Sequence, residues 1–380
     1  MPASLRSYAE IAGALRSPYA ADELVAPGEA PLLAVELTGA GPSPDEAETL
    51  RRLPLVTVAV VAPEPDAGTG ARGGSGGTDR TSSGGGHPAV TPAVGAAGGS
   101  RAAEAFDVLL AAGDDRAGAT VTAEAALDSI AAGAAANPTA AVAAVQLLRM
   151  SAALDVVDGL VAESFTYSTL QAGPEFGAWL TGAAARGPVR PPATGLPGAG
   201  GGPLLVERAG DELRITFDRP EVHNAFGFET RDALVEALQL AVNDTSIRSV
   251  VLAGNGPSFC SGGDLREFGT LADPASAHLV RTTRSAGYWL HRVADRLSVR
   301  VHGHCVGSGI ELAAFGAHVA AAPDLAVALP EVGMGLVPGA GGTVSIPRRI
   351  GRHRTAYLCL TGERIGAATA RAWGLVDEVG

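Results

Sequence analysis

The sequence predicts an α/β fold for residues 204–380, preceded by a mainly helical first half. Two observations support the α/β assignment: short apolar strands alternate with amphipathic helices, and glycine-rich bends follow two of the strands. The helical assignment rests on the alanine-rich pattern of residues 123–180. With 380 residues and 46% hydrophobic content, the chain is long enough to bury a core in each half.

Each element of the second half is assigned from its hydrophobic spacing. The segment ELRITFDRP at 212–220 has the β-branched pattern of a strand that ends at proline, and IRSVVLAGNG at 247–256 has that of a buried strand. Between them, TRDALVEALQLAVND at 230–244 carries apolar residues at helical spacing. Glycine bends, helices and strands then continue to alternate, which is typical of helices packed on a sheet.

Two segments of low complexity interrupt the chain. Residues 63–100 consist mainly of Gly, Ser, Thr, Ala and Pro, which bury too little apolar surface to offset the loss of chain entropy, so we expect a disordered insert. Residues 184–203 contain Pro and Gly at spacings that stop both helices and strands, which predicts an interdomain linker. The predicted domains are therefore residues 1–183 and residues 204–380.

Charge and cysteine content argue against several functional classes. The net charge is −12 and the sequence contains no lysine, so we expect no binding to nucleic acid, which requires a basic surface. The three cysteines lie far apart without CxxC or Cys/His pairing, which argues against disulfides and a metal site and favours a reducing, cytoplasmic location. The sequence shows neither a basic leader nor an apolar run of about 18 residues, so we expect no membrane association.

Two glycine-rich bends indicate where a ligand binds. SFCSGGDL at 258–265 and HGHCVGSGIELAAF at 302–315 each place glycines between an apolar strand and a predicted helix, the second of which is expected to begin near Ile310. Such a bend exposes backbone N–H groups at the positive end of a helix dipole, and glycine allows a ligand to approach them. If the bends converge, two N–H groups bind one carbonyl oxygen and stabilise an oxyanion.

Four motifs resemble, in order and spacing, those of the enoyl-CoA hydratase/isomerase (crotonase) superfamily: SFCSGGDLREF, HGHCVGSGIELA, LPEVGMGLVPGAGGTVSIPRRIG and LTGERIGAATARAWGLVDEV. The resemblance covers residues 204–380 and implies a crotonase-like catalytic domain, a superhelix of ββα units. It also implies that the backbone N–H groups of Gly263 and Ser308 form the oxyanion hole for an acyl-CoA thioester.

The same resemblance implies further contacts with the substrate. The predicted contacts are Ser261, Asp264, Leu265 and His223. His223 stands where the superfamily often has Lys or Arg near the CoA phosphates, and because the chain has no lysine, an arginine such as Arg219 or Arg266 is an alternative. We expect no separate cofactor, since CoA is part of the substrate.

Two glutamates match the positions of the superfamily's hydratase acids: Glu311, in the helix after the second bend, and Glu331, in the PE motif. Two such carboxylates divide the proton transfers, because one accepts a proton from the attacking water while the other supplies a proton to the α-carbon. Burial is expected to raise the pKa of one or both. The resemblance therefore implies hydration of an α,β-unsaturated acyl-CoA, as in fatty acid metabolism, by a homotrimer or hexamer.

Three other functions remain open from the sequence. Related isomerases commonly keep only the second glutamate, so the presence of both favours hydration without excluding double-bond isomerisation. A cofactor-independent dioxygenase that acts on an arylacetyl-CoA is similar in its long N-terminal extension, although an amide or apolar residue is expected at position 311 for oxygen chemistry. The third alternative is a non-catalytic subunit that binds acyl-CoA or serves assembly.

The first half resembles other parts of the same superfamily. Residues 123–180, with a break at Asn137-Pro138, are similar to the C-terminal helices that most members carry after the GLVDEV motif and that residues 204–380 lack. The segments PLLAVELTG, LRRLPLVTVAVVAPEP and AFDVLLAAGDD resemble remnants of its strands. We interpret residues 1–183 as a degenerate crotonase-like half whose helices pack on the catalytic domain, within the chain or from a neighbouring subunit. The alternative is an independent helical domain.

Overall fold

A computed structural model describes residues 4–24, 30–38, 41–61, 104–111, 122–185, 201–271 and 273–380. The predicted disordered insert at 63–100 and most of the predicted linker at 184–203 lie outside these residues. The chain divides into two compact units. The first unit comprises Met1–Ala26, Leu32–Leu53 and Thr57–Asp128, and the second comprises Pro27–Pro31, Pro54–Val56 and Ser129–Gly380.

The first unit is built around a small sheet. Its strands are β1 (Leu5–Ser7), β2 (Leu32–Leu37), β3 (Val56–Val61) and β4 (Val108–Ala111), and its helices are α1 (Tyr8–Leu15), α2 (Ala20–Leu24) and α3 (Pro44–Arg52). The sheet has the order β1-β2-β3-β4, with parallel pairing of β1 with β2 and of β3 with β4. The three apolar segments expected to be strands are thus β2, β3 and β4. Their origin in a degenerate crotonase-like half stays a prediction.

The second unit contains two sheets. Its strands are β5 (Leu204–Ala209), β6 (Glu212–Phe217), β7 (Ser249–Gly254), β8 (Leu297–Val301), β9 (His304–Val306), β10 (His318–Ala321), β11 (Ala326–Ala328), β12 (Ile365–Gly366) and β13 (Glu378–Val379). The larger sheet has the order β13-β10-β8-β7-β6-β5 and is parallel except for the β5–β6 pair. The smaller sheet has the order β12-β11-β9. The predicted strands at 212–220 and 247–256 are β6 and β7.

Helices follow or precede these strands along the chain. They are α4 (Ala123–Ala136), α5 (Pro138–Ser151), α6 (Val156–Gln171), α7 (Pro174–Ala185), α8 (Phe228–Asn243), α9 (Pro274–Thr283), α10 (Ala286–Arg292), α11 (Ser308–Ala313), α12 (Gly342–Thr361) and α13 (Ala367–Trp373). The helix predicted at 230–244 coincides with α8. Parallel strands with intervening helices confirm the α/β assignment.

Helices α5 and α6 pack against α12 within the second unit. The Ser151 hydroxyl donates to the backbone oxygen of Thr343 at 2.8 Å, and a Cβ on Gly159 would lie 3.0 Å from a methyl carbon of Val344. Small side chains on α5 and α6 therefore permit close approach of the helices. The structural boundary follows Asp128, whereas the sequence predicted one near residue 200, because the helices after residue 129 bury their apolar faces in the second unit.

The break between α4 and α5 lies at Asn137 and Pro138, as the sequence predicts. Proline is compatible with the first position of a helix because the N–H group there has no intrahelical acceptor. The two helices are bent by 113° relative to each other. Among the described residues, no single helix has the length and apolar character needed to cross a membrane, and this bent pair meets both criteria only when its two helices are taken together.

Candidate active site

The two glycine-rich bends lie side by side. Cys260 and Cys305 face each other in a parallel bridge, flanked by two backbone hydrogen bonds of 3.1 Å. Gly263 and Ser308 follow the bridged cysteines at equal distances along their strands, so the parallel register brings these two residues together. The convergence of the bends that the sequence analysis requires is therefore present.

The N–H groups of Gly263 and Ser308 donate to no protein acceptor among the described residues. Both residues line the same cavity of about 250 Å³, which we call the first cavity. Unpaired backbone donors at a cavity wall are suited to bind a carbonyl oxygen or an oxyanion. The role of both residues as an oxyanion hole stays a prediction that this geometry supports.

A helix dipole contributes at only one of the bends. The second helix, α11, begins at Ser308, close to the predicted start at Ile310. The prediction of a helix directly after the first bend is wrong, because α9 begins only at Pro274. The carboxylate of Asp264 accepts the N–H group of Arg266 at 3.1 Å, a local turn that competes with helix formation. The Gly263 amide therefore has no helix directly behind it.

Glu311 is buried and is held by the chain that leads into α12. Its Oε2 accepts the N–H groups of Ala340 at 2.7 Å and Gly342 at 2.9 Å. Burial and the charges of Glu331 and Glu163 raise the pKa of Glu311 well above its usual range, against the opposing effect of the two donors. Glu311 lines the first cavity, with Oε2 anchored to the backbone.

Glu331 lies on the same cavity in a different hydrogen-bonding environment. Its Oε2 is buried and has no hydrogen-bond partner within the part of the chain that the structure describes. Burial raises the pKa of Glu331 to about 8. The two predicted acids therefore differ: two N–H groups stabilise the anion of Glu311, and no protein donor does so at Oε2 of Glu331.

A third buried carboxylate, Glu163 on α6, also lines the first cavity. Glu163 and Glu311 bind alternate N–H groups of residues 340–343. The N–H groups of Ala340 and Gly342 donate to Glu311 at 2.7 and 2.9 Å. Those of Gly341 and Thr343 donate to Glu163 at 2.7 and 2.9 Å. The Thr343 hydroxyl adds a hydrogen bond of 2.7 Å to Glu163. Burial raises the pKa of Glu163 to about 7.

A second cavity of about 510 Å³ adjoins the first. Gly263, Asp264, Phe268 and Glu331 line both cavities, so the predicted site lies where they meet. The predicted substrate contacts Ser261, Asp264, Leu265 and His223 all line the second cavity. Their contact with a substrate stays a prediction.

Two of these residues are already engaged with protein groups. The carboxylate of Asp264 forms an ion pair with Arg266, which also lines the second cavity. The His223 ring nitrogen Nδ1 lies 2.9 Å from the Ser258 hydroxyl. Of the two alternative arginines, Arg266 is therefore on the cavity wall, while Arg219 forms ion pairs with glutamates at 3.4 and 3.7 Å.

Sequence analysis missed the site roles of Glu163, Tyr167 and Arg281, which line the first cavity. The first two entered it only as part of the helical pattern of residues 123–180. An acid among the small and apolar residues of α6 was a usable signal, because such a group is rarely buried without hydrogen-bond donors. Tyr288 and Trp289, on α10, line neither of the two cavities.

The raised pKa values predict how stability depends on pH. Groups whose pKa is raised on folding stabilise the protein fully below their unfolded value, and this contribution is lost as pH rises through the folded value. With Glu163 at about 7 and Glu331 at about 8, we expect the free energy of unfolding to fall between about pH 5 and pH 8. Urea unfolding measured across this range tests the trend. A Glu331→Gln variant should show a weaker decrease, and an equal decrease would contradict the assignment.

Gly307 is predicted to be essential for the position of Glu331. Its φ is 50°, and a Cβ would lie 2.4 Å from Oε1 of Glu331. We expect Gly307→Ala to reduce stability by about 1–2 kcal/mol through backbone strain and to displace the carboxylate, which lowers turnover about tenfold or more. Gly333→Ala is the matched control, since a Cβ there meets nothing within 4 Å. Equal turnover in both variants would refute the prediction.

Comparison with known proteins finds a matching family, similar sequences and similar structures. Residues 210–380 match the family model described as enoyl-CoA hydratase/isomerase. The chain is 35% identical over 178 residues to 2,3-dehydroadipyl-CoA hydratase of Escherichia coli K12, covering 46% of this chain and 68% of that protein. It is 33% identical over 178 residues to a probable enoyl-CoA hydratase of Rhizobium meliloti, with the same coverage. A crystal structure of an enoyl-CoA hydratase/isomerase from Mycobacterium paratuberculosis matches 47% of this chain and 72% of its own at 30% identity and a TM-score of 0.44.

Paired glycine bends and titratable acids at one cavity are typical of the active site of an enzyme. The chain belongs to the enoyl-CoA hydratase/isomerase (crotonase) superfamily. This confirms the predicted family and the crotonase-like fold class, and it assigns crotonase-type acyl-CoA chemistry to the chain. Other relatives are matched over about 64% of their own length, and residues 1–209 lie outside the family model.

Proposed function

We propose that the chain adds water across the α,β double bond of an enoyl-CoA thioester. The observation that carries this proposal is that one cavity brings together two backbone amides and two acids. The amides, at Gly263 and Ser308, have no acceptor among the described residues, and the acids are the buried Glu311 and Glu331, whose Oε2 is buried. Amides suit the oxygen of a thioester that becomes an enolate, and two acids suit the two proton transfers of a hydration. No separate cofactor is needed for these steps.

The different hydrogen bonds of the two acids support an assignment of their roles. Although burial and neighbouring charges raise the pKa of Glu311, two N–H groups oppose this rise and favour its anion, so we assign Glu311 as the base that takes a proton from water. Glu331, with a pKa of about 8 and an unpartnered Oε2, is assigned as the acid that protonates the α-carbon. Oxygen from water bonds to the β-carbon, and a proton moving from Glu311 to Glu331 restores the starting state.

The second cavity is the proposed site of the CoA moiety. It holds the predicted contacts Ser261, Leu265 and His223 and meets the first cavity at Gly263 and Glu331. A thioester at the junction would therefore extend its acyl group into the first cavity and its CoA group into the second. The side chains of Leu160, Phe176, Phe226 and Phe268 form an apolar part of the first cavity's wall.

Loss of the absorbance of the conjugated thioester of crotonyl-CoA tests the proposal directly. We expect steady loss of absorbance and a product heavier by one water in mass spectra. Double-bond isomerisation is the nearest alternative, because Glu331 alone can move a proton between two carbons of a substrate. Conversion of a 3-enoyl-CoA to its 2-enoyl isomer with no hydration of crotonyl-CoA would favour that reaction. Binding without any turnover would favour a non-catalytic subunit.

A further inference from the structure

One arginine on the wall of the first cavity has a charge that no carboxylate of the described residues pairs. Arg231, Arg281 and Arg284 line this cavity. Arg231 and Arg284 both approach Oδ1 of Asp232, at 2.9 and 3.4 Å. Arg281, on α9, forms no salt bridge with any of the described residues, although it is half-buried.

Neutral groups of α6 hold the Arg281 side chain in place. Its nitrogens donate to the Ser164 hydroxyl at 3.3 Å, to the Gln171 amide oxygen at 3.4 Å and to the Ser168 hydroxyl. Its guanidinium carbon lies 4.4 Å from the centre of the Tyr167 ring. These contacts fix the orientation of the guanidinium and leave its charge uncompensated, which is costly away from bulk water.

The nearby acid Glu163 does not neutralise Arg281. Both oxygens of Glu163 are bound by residues 341 and 343, through two N–H groups and one hydroxyl. Burial lowers the pKa of Arg281 from its usual range, and the charge of Glu163 opposes this effect only as the last of its contributions. A guanidinium has five N–H donors, and the three contacts to α6 leave donors free for a ligand.

Arg281 lies on the acyl side of the proposed site. It is part of the first cavity's wall and not of the wall of the second cavity, where we place CoA. The guanidinium of Arg281 stacks on the Tyr167 ring. The charges of Glu331 and Glu311 contribute to raising the pKa of the same tyrosine. Arg281 therefore lies on the wall that Glu311 and Glu331 also line, in the cavity where we place the acyl group.

We propose that Arg281 binds a carboxylate at the far end of the acyl group, so that the preferred substrates are enoyl-CoA thioesters of dicarboxylic acids. This inference rests on the proposed hydration. A carboxylate accepts two parallel hydrogen bonds from a guanidinium and supplies the missing charge, which a terminal methyl group does not. The neutral serine and amide partners keep the guanidinium oriented toward the cavity before the substrate arrives.

A matched pair of substrates tests the inference on the unmodified chain. The pair is trans-2-hexenoyl-CoA and the same thioester with a carboxylate in place of the terminal methyl group. We expect kcat/KM to be about tenfold or more higher for the carboxylate, since hydrogen bonds to charged groups are the stronger ones. Equal values, or preference for the methyl end, would overturn the inference while leaving the hydration intact.

Substitution then separates recognition from a purely structural role. Arg281→Gln should lower kcat/KM about tenfold or more for the carboxylate substrate and less than about threefold for hexenoyl-CoA. The control is Arg292→Gln, because Arg292 also stacks on a tyrosine, 5.9 Å from Tyr288, and lines neither cavity. If Arg281→Gln lowers kcat/KM equally for both substrates, Arg281 only holds α9 against α6, and recognition of the carboxylate is refuted.

If neither thioester is hydrated, the result counts against the proposed function itself. Carboxylate recognition is then tested by a binding measurement. Calorimetry then compares the saturated analogues, adipyl-CoA and hexanoyl-CoA, on the unmodified chain. Tighter binding of adipyl-CoA, reduced to the level of hexanoyl-CoA by Arg281→Gln, supports carboxylate recognition, because glutamine removes both the charge and the paired N–H donors of the guanidinium. Equal affinities on the unmodified chain contradict it. The two proposals therefore fail by different results.

Discussion

Glu331→Gln is expected to lower kcat for enoyl-CoA hydration by about 100-fold or more, with little change in KM. A glutamine keeps the size of the side chain but cannot donate a proton to the α-carbon, and general acid catalysis contributes about 10²–10⁴-fold. Glu311→Gln should cause a loss of similar size, because it removes the proposed base. Steady-state rates with crotonyl-CoA measure both effects.

The pH profile distinguishes the two acids. Because the pKa of Glu331 is about 8, the proton it supplies is present at neutral pH, and kcat should decrease as pH rises above that value. This alkaline decrease should be absent from the residual activity of Glu331→Gln. Glu207→Gln, on the exposed face of β5, is the control for a change of one charge. Full activity in either catalytic variant would exclude the two-acid mechanism.

Glu163→Gln is expected to reduce both stability and turnover, although Glu163 lies outside the four motifs of residues 204–380. The amide nitrogen of the new side chain would replace an oxygen that accepts from residue 341 or 343, so two donors would face each other in a buried place. We expect a loss of about 1–3 kcal/mol in the free energy of unfolding. Because Glu311 binds the alternate N–H groups of the same turn, kcat should fall about tenfold or more with little effect on KM.

A matched variant shows whether the effect on turnover comes from the turn itself. Glu175 also accepts two N–H groups at a helix start, from Thr139 at 2.7 Å and Ala140 at 2.9 Å, and it does not line the first cavity. Glu175→Gln should therefore reduce stability and leave kcat unchanged. If Glu163→Gln behaves in the same way, Glu163 is structural only and does not position Glu311. Chemical unfolding and kinetics on the same samples provide both readouts.

The parts of the site that lie within continuous motifs were predictable from the sequence. Gly263 and Ser308 were expected to converge, and the bridge between Cys260 and Cys305 brings them together. Glu311 and Glu331 were expected at one site, and both line the first cavity. The four residues lie at one cavity because each motif folds locally, as a strand end, a glycine bend and the turn after it, and their roles stay predictions.

The parts that depend on distant pairing were not predictable. Glu163 binds Gly341 across 178 residues, and no local pattern in either segment indicates the partner. Arg281 lies on α9, within a segment where spacing alone does not tell a cavity wall from the core. The helix expected directly after the first bend was misplaced because the side chain of Asp264 closes a local turn, a competition that hydrophobic periodicity does not detect.

The order of segments along the chain has a consequence for biosynthesis. Helix α6 leaves the ribosome long before Gly341 and Thr343 are synthesised. These two hydrogen-bond donors of the Glu163 carboxylate lie 178 and 180 residues further along the chain. Contacts of such long range slow folding and prolong the exposure of unpaired apolar helices to aggregation. A nascent chain that stops before α12 therefore lacks the N–H groups of Gly342 and Thr343 that bind Glu311 and Glu163.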